Sequence, residues 1–101
     1  MHSSPPRISA STYIALRPEN GVLTLAAIRR TPWRIDPGAR VIISIYGLRS
    51  VEAGAAEQIG RILSDAGAGD VFLQASTSSR LVEELRASID RAARAYWASQ
   101  S

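Results

Sequence analysis

The feature that most constrains this 101-residue chain is the run Val41-Ile-Ile-Ser-Ile-Tyr46, followed by Gly47 and then by apolar residues at helical spacing. Six residues rich in β-branched side chains, with a single polar interruption, predict a strand covered on both faces at the middle of a sheet. Val51, Ala55, Ile59, Ile62, Leu63 and Ala66 then recur with the period of an amphipathic helix over about residues 51–66, with Ser50 as its N-cap and the Glu52 carboxylate in its first turn. A strand, a loop and a helix start meet here, and in α/β domains the loop leaving a strand's carboxyl end is where ligands and partners gather.

Around this stretch the pattern predicts one small domain. Residues 1–10 carry Pro5 and Pro6 and no periodicity, so they read as a flexible lead-in, and residues 99–101 as a frayed end. Thr12, Ile14 and Leu16 alternate with Tyr13, Ala15 and Arg17, which predicts a half-buried strand. Asn20-Gly21 offers positive φ for a tight turn, and Leu23, Leu25 and Ala27 continue an alternation through Ile28. An antiparallel hairpin of 11–17 with 22–28 is therefore expected.

Residues 29–40, with Pro32 and Pro37-Gly38, predict an irregular loop. Gly67 and Gly69 end the first helix, and Val71, Leu73 and Ala75 oppose Phe72 in a short strand expected to lie parallel to 41–46. Thr77, Ser78 and Ser79 offer caps for a long final helix with Leu81, Leu85, Ile89, Ala92 and Tyr96 as its buried stripe, and Trp97 suits either docking of its end onto the domain or an interface anchor. Arg80 with Glu84 and Asp90 with Arg94 are spaced for ion pairs on its exposed side. The expected fold is a two-layer α/β domain, a mixed sheet of about four strands in the order β-β-β-α-β-α with two helices packed on it.

Composition narrows the function. The chain has no cysteine, no lysine and one histidine, His2, which leaves no disulfide framework, no thiolate or imidazole metal cluster and no base beside the serines at 76, 78 and 79. Neither a catalytic constellation nor a cofactor or metal site is expected. Ala66-Gly-Ala-Gly-Asp70 follows a helix and precedes a strand, the reverse of a phosphate loop. No signal-like or membrane-spanning apolar run is present, so a cytoplasmic location is expected, with attachment to a membrane through a partner left open. All twelve basic side chains are arginine, which a coding bias explains as well as a selected anion-binding role. Residues 1–49 carry an excess of five positive charges and the remainder an excess of two negative ones, a mild dipole.

On its residues the stretch Ile43 to Ala56 resembles the strand-loop-helix of STAS domains, the fold of bacterial anti-sigma factor antagonists and of sulfate transporter tails. Ile43, Ile45, Gly47, Leu48 and Val51 fall on the family's aliphatic and glycine positions, and Glu52-Ala53-Gly54-Ala55 on its Asp-Ser-Ser-Gly type signature. Glu19-Asn-Gly-Val-Leu-Thr-Leu is similar to the opening hairpin, Gly69-Asp-Val-Phe-Leu to the last core strand, and Ser78-Ser-Arg-Leu-Val-Glu-Glu-Leu to the final helix, a likeness covering about residues 13–90. The chain departs from the family in two places: residues 29–40 leave no room for the helix that usually precedes the central strand, and the phosphoacceptor position holds Ala53.

The resemblance implies a non-enzymatic regulatory module that binds a kinase, an anti-sigma type protein or a larger assembly through Gly47, Leu48, Arg49, Ser50, Glu52, Ala53 and Gly54, with no phosphorylation at residue 53. Two alternatives stand beside it. Arg29, Arg30, Arg34 and Arg40 around Trp33 form a basic aromatic segment suited to a nucleic acid. An uncovered sheet face or edge strand would suit self-association into a structural subunit.

Overall fold

The computed structural model describes residues 11–75 and 79–100, so the expected lead-in at 1–10 and the caps Thr77 and Ser78 lie outside the described residues. The elements are β1 (Ser11–Leu16), β2 (Val22–Leu23), α1 (Leu25–Arg30), β3 (Arg40–Ile45), β4 (Ser50–Val51), α2 (Ala55–Asp65), β5 (Val71–Ala75) and α3 (Ser79–Gln100). The chain folds as a small α/β domain with a three-stranded sheet in the order β1-β3-β5 and a separate two-stranded ribbon of β2 with β4. All of these ladders are parallel.

The central strand is the one expected, and its register fixes what each face carries. Thr12, Ile14 and Leu16 lie beside Val41, Ile43 and Ile45, which in turn lie beside Val71, Leu73 and Ala75. Ile14, Leu16, Val41, Ile43 and Ile45 are buried in one cluster with Ala55, Ile59 and Leu63 of α2 and Leu85 and Ile89 of α3. Each of the buried valine, leucine and isoleucine side chains stabilises the fold by roughly 1.5–3 kcal/mol through its removal from water. The helices thus cover one face, and the two-layer expectation holds in that form.

The hairpin is replaced by a different connection. Asn20 (φ 51°) and Gly21 (φ 83°) do make the tight turn, closed by the backbone bonds of Glu19 with Val22. The expected second strand, however, stops at Leu23, and Leu25–Arg30 is helical. Thr24 caps that helix by accepting from the Ala27 N–H at 3.0 Å. Leu25, Ala26 and Ala27 favour helix, and the buried set Leu23, Ala27 and Ile28 has helical spacing. β1 then pairs with β3 instead of with its neighbour in sequence. Among the described residues there are three helices, not two, and a short helix does precede the central strand, in the place given to the hairpin's second strand.

The start of α2 also moves. Ser50 and Val51 are the strand β4, and the helix begins at Ala55 after Gly54 in a left-handed conformation (φ 87°), so Ser50 is not an N-cap and Glu52 is not in the first helical turn. What results is a repeated arrangement: β1-β2-α1 is followed by β3-β4-α2, and the two short strands pair with each other. Of the final helix's expected stripe Leu85 and Ile89 are buried while Leu81, Ala92 and Tyr96 are half-buried, and the helix continues to Gln100. Its Arg80–Glu84 pair closes at 3.5 Å on the exposed side. The Trp97 side chain lies outside the described residues.

Candidate functional site

The segment 47–54 leaves the carboxyl end of β3 and is fastened to residues 20–25. The Arg49 and Ser50 N–H groups both donate to the Gly21 carbonyl, at 2.7 and 3.1 Å, and the Glu52 N–H donates to the Leu23 carbonyl at 3.0 Å. The Arg49 guanidinium reaches the Asn20 carbonyl at 3.2 Å. Its side chain lies across Gly21, where an added Cβ would fall 2.6 Å from Nε and displace it, and the positive φ of 83° favours glycine at this turn. Gly47 turns the chain with φ 70°.

Of the expected contact residues, Gly47, Arg49, Ser50, Glu52, Ala53 and Gly54 are exposed, whereas Leu48 is a core residue at 1% exposure and cannot meet a partner. Glu52 is committed as well. Its carboxylate accepts a hydrogen bond from the Leu25 N–H at 2.6 Å, which places a negative charge on the open amino end of α1. The carboxylate that the STAS likeness assigns to the start of α2 therefore serves the preceding helix.

The basic aromatic segment does not assemble as a stacking site. Trp33 turns inward, packs against the core and donates from Nε1 to the Ile28 carbonyl at 2.9 Å. Arg29 and Arg30 end α1, where its dipole favours cations, and Arg30 pairs with Glu19. Arg34 is exposed. Arg40 sits 5.5 Å from the ring centroid of Phe72, so among the described residues a guanidinium–aromatic contact is made on the sheet and not at Trp33.

The uncovered sheet face expected for self-association is present, and the alternation along the strands identifies its residues. Ser11, Tyr13 and Ala15 of β1, Arg40, Ile42 and Ser44 of β3, and Phe72 and Gln74 of β5 alternate with the buried set, and none of them is buried. Tyr13, Ile42 and Phe72 are in register, so they form one row across all three strands. Tyr13 is 71% exposed and Phe72 42%, and Tyr46, just past β3, is 62% exposed. The central strand is thus covered on one face, not two. Ser44 inside the apolar run is a local signal of it in the sequence, and the row itself follows from the register of the three strands.

No known protein family, no curated protein and no solved structure matches this chain. Among the described residues no group of three His, Cys, Asp or Glu side chains is placed to share a metal ion. No helix among them is long and apolar enough to cross a membrane.

Proposed function

We propose that the protein is a non-enzymatic interaction module whose contact surface is the uncovered sheet face, Tyr13, Ile42, Tyr46 and Phe72, running at the carboxyl end of β3 into the exposed part of 47–54. The observation that carries this reading is the in-register row of two exposed aromatic rings flanking a half-buried isoleucine while the other face is packed with aliphatic side chains. Rigid rings on strands lose little conformational freedom when a partner covers them, and exposed aromatic clusters mark association sites. The likeness of Ile43–Ala56 to STAS domains adds a partner class, a regulatory kinase or an anti-sigma type protein. With Ala53 in the phosphoacceptor position, such an interaction would not be switched by phosphorylation there.

The size of the face bears on self-association. Three strands about 4.8 Å apart and six residues long, at about 3.3 Å per residue, span roughly 280 Å². A specific interface covers about 800 Å² of each partner. Face-to-face stacking of two copies alone falls well short, so the contact has to extend beyond the face, and a partner shaped to reach around it is favoured over a second copy.

Photo-crosslinking in the native host tests the proposal. A benzophenone amino acid replacing Phe72 or Tyr46 is expected to give one dominant protein adduct, and the same group replacing Glu83 on α3 is expected to give none. Equal or absent adducts at all three positions would overturn the assignment of the surface.

A further inference from the structure

The edge of the sheet next to that face has its own cavity. Tyr13 and Ala15, from the open face of β1, and Ile14, from its helix-packed face, border one groove of about 530 Å³, closed on the far side by α1 and Pro32. Neighbouring residues of a strand point to opposite faces, so both kinds can line one groove only where it runs along the strand's outer edge. β1 is an outer strand of the sheet. Its pairing is with β3, and among the described residues no backbone bond is made from the other side of Ser11–Leu16. An unpaired edge of this kind is a template for another strand.

The charge of the groove selects what that strand would carry. Among the described residues Arg17 and Arg30 are its charged lining residues and no acidic side chain lines it. Arg30 is bridged to Glu19, and Arg17 makes no ion pair among the described residues. The far wall decides between a lone segment and a second copy. A second copy would bring its own β3 and β5 behind β1, where α1 and Pro32 already stand, whereas one extended segment needs only the strand spacing of about 4.8 Å.

We infer that β1 accepts, as an added fourth strand, a single extended acidic segment of the partner protein, held by backbone hydrogen bonds along Ser11–Leu16 and by Arg17 at its carboxylates. This rests on the reading of the domain as an interaction module and names the chemistry of its partner. Main-chain pairing supplies affinity and the alternate side chains supply choice, as in other cases of strand addition. The added strand also widens the contact toward the area that the sheet face lacks by itself.

Fluorescence anisotropy of the whole chain with a labelled peptide alternating valine and glutamate tests this, beside two analogues, one with lysine for glutamate and one N-methylated at alternate backbone nitrogens. The acidic peptide is expected to bind saturably below about 1 mM, and both analogues at least about tenfold more weakly. Arg17→Glu, on an exposed residue at the strand's end, is expected to lower the affinity for the acidic peptide by about tenfold and to raise that for the lysine peptide. Equal binding of the N-methylated peptide, or no saturation with the acidic one, overturns the inference. If the acidic peptide fails while the crosslinker at Phe72 still yields one adduct, the edge assignment falls and the interaction module stands. If both fail, both fall.

Discussion

Glu52 and Tyr96 show how single side chains join elements distant in the chain. The Glu52 carboxylate accepts from the Leu25 N–H at 2.6 Å, so it satisfies a donor that a six-residue helix leaves open at its amino end. Glu52→Ala is expected to lower stability by about 0.5–2 kcal/mol, the range for loss of a capping acceptor, and Glu52→Gln by less, because the amide oxygen can still accept. The shift of the urea midpoint checks both. A loss of partner binding in Glu52→Arg would therefore report a disturbed α1 unless stability is measured alongside it. Tyr96 on α3 donates to the Asp65 carboxylate at 3.0 Å, and this bond, with burial and the nearby negative charge, raises the phenol's pKa above its ordinary value of 10.0. A pKa raised by folding means that the folded state holds the proton more tightly, so the contribution is complete below the unfolded value of about 10 and lost as pH rises through the folded one. Thermal melts are expected to place the wild type above Tyr96→Phe near about pH 8, with the gap closing in strongly alkaline buffer.

At the scale of elements, the α2–α3 contact depends on Gly60. A Cβ there would lie 2.8 Å from the Ala92 Cβ and 2.9 Å from both the Ala93 nitrogen and the Ile89 oxygen. Two of these atoms are backbone, so α3 would have to shift as a whole. Gly60→Ala gains about 1 kcal/mol of helix propensity but incurs overpacking of about 1–3 kcal/mol, and a net loss of stability is expected in urea unfolding. Elements that are regular over many residues were legible in the sequence: β1, β3, β5 and α3 lie where the periodicity put them, and α2 ends within one residue of the expected position. The short ones were not. Leu23-Thr-Leu-Ala-Ala-Ile28 satisfies an alternating pattern and a helical one together, and the Thr24 cap and the Glu52 carboxylate, from residues far apart in sequence, turn it to helix. Ser50 and Val51 read as a helix start until β2 is available to pair with them. The contact surface was half legible for the same reason. Exposure at 49–54 follows from local polarity, but the open face emerges only when the register of three strands is known, and Leu48 and Trp33 are drawn inward by a core that no local window contains.

At the scale of the whole molecule, the fold divides into a central part held from several directions and a margin held by few bonds. β3 is paired on both sides, by β1 and by β5, and its Val41, Ile43 and Ile45 are at 1% exposure or less. The β2–β4 ribbon pairs two residues with two and α1 is six residues long, so few backbone bonds hold them and they open before the main sheet, although Leu23 and Ile28 anchor them in the core. Amide hydrogen exchange is expected to be slowest at Val41–Ile45, approaching the global unfolding free energy, and faster at Val22–Arg30 and Ser50–Val51, which open locally. The same measurement reads the edge proposal without any mutation. Those β1 amides that point away from β3 have no partner among the described residues in the free chain and should exchange early. A strand added along Ser11–Leu16 gives them acceptors, so an excess of the acidic peptide is expected to slow them selectively while leaving the Ser50–Val51 ribbon unchanged. Protection confined to 47–54 would shift the contact to the turn after β3, and uniform slowing of every amide would show general stabilisation without a strand having been added.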